Sequence, residues 1–159
     1  MWPFKKKEFT LDQLGLTAEE KREVGDFFSS YTTPDGRYIG REAQSIAVLS
    51  GLVACALWNF AEEKITAADF DYQAIHREAL IDKAINAVRK AYSINPLPIY
   101  LYDLANYLEL NGKTLAADQT LEAFLQAQAE YEPQPHDEIF LHNRDIEAAL
   151  ADAKQKLSG

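Results

Sequence analysis

The chain has 159 residues, of which 47% are hydrophobic and 26% are charged, and its formal net charge is −9. This composition is typical of a folded globular protein and excludes a disordered one, while the length suggests a single domain. The excess of acidic residues argues against broad nucleic-acid binding. Cys55 is the only cysteine, so no intramolecular disulfide can form, and we expect a reducing, cytoplasmic location.

The N-terminal tip combines two aromatic residues with three lysines, namely Trp2, Phe4, Lys5, Lys6 and Lys7. Such side chains can contact an anionic membrane surface. The tip is too short to hold a membrane by itself, and the residues that follow contain no apolar signal-peptide core. We therefore expect residues 1–16 to form a flexible tail, and we rank a membrane-peripheral assembly factor as the weakest functional alternative.

The first half of the chain, residues 17–79, predicts a group of N-terminal helices. Thr17 and Glu20 have the spacing of a capping box, which predicts a helix that runs to about Ser30. Residues 43–61 contain no charged residue, which is typical either of a buried core helix or of a membrane-associated one. Several polar residues within this segment favour the core helix.

A second capping-like pattern, from Thr66 to Asp69, predicts the start of a long helix that reaches Ile94. The apolar residues of its early turns are then expected to face the core: Phe70, Ile75, Leu80 and Ile81.

The centre of the chain, residues 80–132, predicts helices separated by two short turns. Asn95-Pro96 ends the first of them, because proline disfavours helical geometry in the residue before it. Pro98 suits the first turn of the next helix, and Gly112 suits the left-handed residue that ends it. Short turns between helices make consecutive helices antiparallel neighbours.

This central segment resembles a tetratricopeptide repeat, a helix pair of about 34 residues. The resemblance is carried by residues 90–96, by Leu104-Ala105-Asn106, by Gly112, and by the small residues Ala84 and Ala117, which stand 33 positions apart. Two positions depart from the family pattern. The family pattern expects a closing proline at position 129, where this chain has alanine and its next proline is Pro133. Phe124 stands where the pattern expects a small residue.

The resemblance implies an all-α, right-handed antiparallel array of about six helices, with residues 136–157 as a C-terminal capping helix. In this family the first helix of each pair lines a groove for a partner, which implies the following contact residues here: Ile99, Tyr102, Asp103, Asn106 and Glu109. Asn106 stands where the family often holds the peptide backbone. Tyr102 and Tyr107 can equally be partly buried packing residues.

Residues 103–152 contain eleven acidic and only two basic residues, Lys113 and Arg144. A surface of one charge sign attracts a partner of the opposite sign and speeds encounter. This pattern suggests an acidic partner-binding face at Asp118, Glu122, Glu130 and Glu132. The same charge can also serve solubility alone.

The sequence contains no pattern typical of catalysis, of a cofactor or of a metal site. His136 and His142 are six residues apart, which is not the spacing that places two histidines on one helical face. We therefore expect a non-enzymatic interaction module, a scaffold or adaptor, that binds a partner protein or peptide. The main alternative is an acidic inhibitor or immunity-type protein that blocks a basic partner. The sequence does not decide whether the chain forms a homo-oligomer.

Overall fold

The computed structural model describes residues 11–30 and 46–159. Seven α-helices and two 3₁₀ turns account for the regular structure of these residues, and no strand occurs among them. The helices are α1 (Ala18–Ser30), α2 (Ile46–Asp69), α3 (Ala74–Ile94), α4 (Ile99–Leu110), α5 (Thr114–Glu130), α6 (Glu138–Leu141) and α7 (Ile146–Ser158). The all-α prediction is confirmed. The aromatic and basic tip at residues 2–7 lies outside the described residues.

Helix α1 begins with the predicted capping box. The hydroxyl of Thr17 accepts a hydrogen bond from the backbone N–H of Glu20 at 3.1 Å, and the Glu20 carboxylate accepts one from the N–H of Thr17 at 2.8 Å. Val24 and Phe27 are buried. Lys90 on α3 also donates to Glu20 at 2.6 Å, so α1 is held to the rest of the fold by both apolar and ionic contacts.

Helix α2 contains most of the uncharged segment and forms the centre of the core. Its large apolar side chains are fully or nearly fully buried: Leu49, Leu52, Val53, Leu57 and Phe60. None of the helices in the described ranges is both long enough and apolar enough to cross a membrane. Gly51 lets the aromatic ring of Phe140, on α6, pack directly against the α2 backbone.

The prediction that a helix begins near Thr66 is wrong. Helix α2 continues through Asp69, and α3 begins only at Ala74, because α2 still packs against the core at Ala68, which is buried. Packing therefore outweighs the local capping pattern. The chain turns at Asp71, whose carboxylate accepts a hydrogen bond from the N–H of Gln73 at 2.9 Å.

Two of the side chains that were predicted to face the core from the early turns of this helix do not. Phe70 and Ile75 are exposed, whereas Ile81 is buried as predicted. Phe70 is exposed because it lies in the turn rather than in the helix, whereas Ile75 lies within α3 but beyond the point where Asn111, just after the end of α4, meets Asp82.

The two central turns lie where the sequence placed them. Helix α3 ends immediately before Asn95-Pro96. Gly112 adopts a φ of +74°, and the N–H of Lys113 donates to the carbonyl of Leu108 at 2.9 Å, which closes the left-handed helix end. Helix α2 packs on α3, α3 on α4, and α4 on α5.

The predicted C-terminal helix at residues 136–157 is interrupted. A 3₁₀ turn and α6 cover residues 135–141, and α7 begins at Ile146. The break occurs because Asp145 adopts an extended conformation and caps α7, accepting a hydrogen bond from the N–H of Ala148 at 3.0 Å. Helix α7 packs on α4 and α5 with Ala149 and Ala153 buried, while α6 packs on α2.

Candidate functional site

The residues that the resemblance marks as contact candidates lie on α4, and four of them face the C-terminal segment of the same chain. The Tyr102 hydroxyl donates to Asp152 at 2.6 Å, and the Arg144 guanidinium donates to Asp103 at 2.7 Å. The ammonium group of Lys156 donates to Asn106 at 2.9 Å and lies 3.5 Å from the carboxylate of Glu109. Three residues of the C-terminal segment thus pair with all the polar members of the predicted set, and the fifth member, Ile99, is buried.

Asp103 and Arg144 form a buried ion pair at the base of this contact. The Arg144 guanidinium lies over the Trp58 ring, 4.8 Å from its centre, so a residue of α2 also holds it in place. Burial raises the pKa of Asp103 to about 6, although the positive charge of Arg144 opposes that rise. Asp103 Oδ2 and the indole N–H of Trp58 are buried and have no hydrogen-bond partner within the described ranges.

A second polar contact lies beside this pair. The Tyr107 hydroxyl donates to the carboxylate of Glu62, on α2. Burial raises the pKa of Tyr107 far above its ordinary value, and the negative charges of Asp103 and Glu62 raise it further. Tyr107 therefore stays neutral and acts as a hydrogen-bond donor at the edge of the core, which is the packing role that the sequence left open for it.

Cys55 lies on α2 close to the same cluster. Burial raises the pKa of its thiol to about 12, and the nearby charge of Arg144 only partly opposes this. Because the thiolate is the reactive form, the thiol is protonated and weakly nucleophilic at neutral pH.

A surface groove of about 430 Å³ runs between α4 and α7. We call it the α4–α7 groove, and it is lined by Ile99, Tyr102, Arg144, Asp145, Ala148, Ala149 and Asp152. Two of these residues, Ile99 and Tyr102, belong to the set predicted from the sequence. The other five come from the C-terminal segment, for which the sequence predicted only a capping helix.

The walls of the α4–α7 groove combine apolar surface with two carboxylates and the guanidinium of Arg144, which is paired with Asp103. Asp145 uses Oδ1 to cap α7, and Asp152 uses Oδ2 for its contacts with Tyr102 and Lys156. The second oxygen of each carboxylate forms no hydrogen bond with any other described residue. The hydrogen bond from Tyr102 lowers the pKa of Asp152, so this carboxylate is ionised at neutral pH. Asp152 is already paired with Lys156 at 3.2 Å, so Asp145 is the carboxylate of the groove that can accept a further positively charged group.

The Tyr102 ring also has a structural contact beneath the groove. Its centre lies 5.5 Å from that of Phe124, which is fully buried. Phe124 stands where the tetratricopeptide pattern has a small residue. The large ring fills the space between α4 and α5 and supports Tyr102 from below, while the hydroxyl group of Tyr102 reaches α7.

The predicted acidic face lies apart from the α4–α7 groove. Glu122, Glu130 and Glu132 are exposed and Asp118 is half-buried. None of these four carboxylates forms an ion pair with another residue in the described ranges. The side-chain amide of Gln126 donates to Glu130 at 2.7 Å. The four charges remain available to a basic partner.

Two of the three histidines lie beside a single carboxylate. His76 lies 3.8 Å from Asp71, and His136 lies 3.5 Å from Asp137. His142 is exposed, and its ring contacts the carbonyl of Ile139. Among residues 11–30 and 46–159, no group of three or more histidine, cysteine, aspartate or glutamate side chains is placed to hold a metal ion.

No protein-family model, curated protein or solved structure matches this chain. These comparisons neither support nor contradict the resemblance to a tetratricopeptide repeat.

Proposed function

We propose that this protein is a non-enzymatic helical interaction module, similar to a tetratricopeptide-repeat adaptor, that binds a segment of a partner protein in the α4–α7 groove. The observation that carries the proposal is the groove itself. It is open to solvent, it is lined by two contact residues predicted independently from the sequence, and it presents carboxylates beside apolar surface. Convergent polar groups in an apolar recess are typical of a binding site.

The chemistry of the groove limits the kind of segment that fits. Asp145 has no ion-pair partner among the described residues and can bind a cation, whereas Asp152 already pairs with Lys156, and Ala148 offers apolar contact. A segment with a lysine or arginine next to an apolar side chain satisfies both requirements. The net charge of −9 on the whole chain attracts such a segment from a distance and speeds its encounter.

The test begins with peptides selected from a displayed random library on the immobilised full-length chain. We expect selected peptides to share a basic residue beside an apolar one. Ala148→Trp places a large ring in the α4–α7 groove without changing any charge, and it should abolish binding of these peptides. Ala151→Trp is the matched control, because Ala151 is exposed on the same helix and does not line the groove.

Two results would count against this function. If Ala148→Trp and Ala151→Trp bound the selected peptides equally well, the α4–α7 groove would not be their site. If binding fell steeply with ionic strength and depended on Glu122 and Glu130 instead, the acidic face would carry the function, as expected for an inhibitor of a basic partner.

A further inference from the structure

The large apolar side chains that are exposed among the described residues lie at or beside two turns, one between α2 and α3 and one between α4 and α5. They are, in chain order, Phe70, Tyr72, Ile75, Leu110 and Leu115. The side-chain amide of Asn111, in the second turn, donates to Asp82 of α3 at 2.7 Å, so the two turns lie at the same end of the molecule. We call the five apolar residues the apolar end.

Unequal helix lengths give the apolar end the shape of a step. Helix α3 has 21 residues, whereas α4, which packs beside it, has 12. Because Asn111 follows the end of α4 and meets Asp82, the part of α3 that precedes Asp82 extends past α4. Ile75 lies on the same face of α3 as Asp82, about 10 Å further along the axis. It stands on the wall of the step, with Leu110 and Leu115 on the floor.

The rim of the apolar end is acidic. Glu78 lies one helical turn after Ile75 on the same face of α3, and Asp118 lies one turn after Leu115 on α5. Arg77 follows Ile75 by two positions and does not share its face. Around the whole apolar end, five carboxylates stand against two cations, namely Asp69, Asp71, Glu78, Asp82 and Asp118 against Arg77 and Lys113.

The other charged groups nearby do not change this balance. Lys83 pairs with Glu19 at 3.0 Å, and Lys156 pairs with Glu109 at 3.5 Å, so both lysines are already neutralised. A protonated His76 would balance only one of the five carboxylates. The apolar end therefore presents apolar surface inside a rim of net negative charge.

This combination distinguishes between possible occupants. A second copy of the chain would bring an equally acidic rim to the contact, and like charges that face each other oppose association. An anionic membrane would be repelled for the same reason. A protein segment that carries cations beside its apolar residues matches both the apolar surface and the rim.

The step also indicates the conformation of that segment. No strand occurs among the described residues, so they offer no sheet edge to which a segment could add as a strand. An amphipathic helix instead places its apolar face into a hydrophobic recess through residues i, i+3 or i+4, and i+7. These residues span about 10 Å along the helix axis, which is the height of the step.

We propose that the apolar end binds a basic amphipathic helix of a partner protein. The apolar face of that helix packs against Ile75, Leu110 and Leu115, and the lysine or arginine residues at its edges face Glu78 and Asp118. This surface is separate from the α4–α7 groove, and the association does not depend on what that groove binds.

A synthetic peptide of about 18 residues, with leucines at helical spacing and lysines elsewhere, is the probe. Fluorescence anisotropy of the labelled peptide measures its affinity for the full-length chain. We expect the peptide to bind, and we expect the same peptide with glutamate in place of every lysine to bind at least about tenfold more weakly.

Two double variants separate the apolar and the ionic contributions. Replacing Ile75 and Leu115 by serine should weaken binding of the lysine peptide at least about tenfold and leave its salt dependence in place, since it removes two large apolar contacts. Glu78→Gln with Asp118→Asn should also weaken binding, and it should reduce the salt dependence.

Each double variant has a matched control. Gln119→Ser with Ala123→Ser changes two exposed positions on α5, and Glu122→Gln with Glu130→Gln neutralises two exposed carboxylates of the acidic face. Both controls should bind the lysine peptide as the wild type does. Circular dichroism checks that every variant keeps its helix content, which is expected because the replaced side chains lie outside the core.

Several results would overturn the proposal. They are equal binding of the lysine and glutamate peptides, binding that survives the loss of Ile75 and Leu115, and binding that depends on Glu122 and Glu130 instead. A wild-type chain that ignores the peptide but sediments with phosphatidylcholine vesicles would assign the apolar end to a lipid surface. Ala148→Trp should leave binding of the lysine peptide unchanged, which separates this test from that of the groove.

Discussion

Replacing Arg144 by glutamine removes the positive charge that faces the buried carboxylate of Asp103 at 2.7 Å. Breaking a buried ion pair by removing one partner costs about 3–5 kcal/mol, mostly because the remaining charge stays buried without compensation. We therefore expect Arg144→Gln to be destabilised by about this amount at pH 7. For a chain of this length, a loss of 3 kcal/mol corresponds to a fall of roughly 6–12 °C in Tm.

The same reasoning predicts that the loss depends on pH. Burial already raises the pKa of Asp103 to about 6 in the presence of Arg144, and removing the arginine raises it further. In Arg144→Gln the carboxyl group then takes up a proton as the pH falls, and the uncompensated charge disappears. The destabilisation of the variant relative to the wild type should therefore be smaller at pH 5 than at pH 7.

Urea unfolding at both pH values, followed by circular dichroism, measures the effect. Lys113→Gln is the matched control, since Lys113 is the other basic residue in the acidic stretch and is exposed; its change should stay within about 0.5 kcal/mol. The double variant Asp103→Asn with Arg144→Gln should recover much of the lost stability, because it leaves no buried charge. A double variant as unstable as the sum of the two single variants would refute this explanation, and so would a loss that is equal at pH 5 and pH 7.

Further predictions follow from the core and its titratable groups. Gly51→Ala should destabilise the fold by about 1–3 kcal/mol in urea unfolding, because the added Cβ overlaps the ring of Phe140. This loss should exceed the gain from the higher helix propensity of alanine. If adding Phe140→Leu to this variant restores none of the lost stability, the overlap is not the cause. Cys55 should react with a disulfide reagent at pH 8 only after unfolding, because burial raises its pKa to about 12, and rapid labelling of the folded chain would contradict this. An NMR titration of the Asp103 carboxyl carbon should give a midpoint near 6. Because the pKa of Asp103 is higher in the folded chain than its unfolded value of 3.8, the stabilisation that Asp103 contributes is fully present below pH 3.8 and is lost as the pH rises through 6. A titration midpoint below 4 would exclude this contribution.

The sequence predicted those features that local chemistry determines. The capping box at Thr17, the helix end at Asn95-Pro96 and the left-handed Gly112 were each identified correctly, because each depends on a few neighbouring residues. The uncharged segment was assigned to the core for the same reason, since its composition is evident without knowledge of its neighbours.

The features that the sequence missed depend on contacts between distant residues. Thr66 has the form of a helix start, but Ala68 is buried and α2 continues past it. Ile75 is 82% exposed because α3 extends past the end of α4. The sequence does not show this, because it does not show which helices lie side by side. The sequence does carry one signal at the site, because Arg144 is one of only two basic residues in a stretch with eleven acidic ones.

The central claim is that α4 and the C-terminal helix together form a groove for a basic segment. The most direct measurement is a two-dimensional amide NMR titration of the full-length chain with a peptide selected on it. The account predicts shifted resonances at Tyr102, Ala148 and Asp152, with residues 70–75 unaffected. Shifts confined to residues 70–75, or to the acidic face around Glu122, would contradict it.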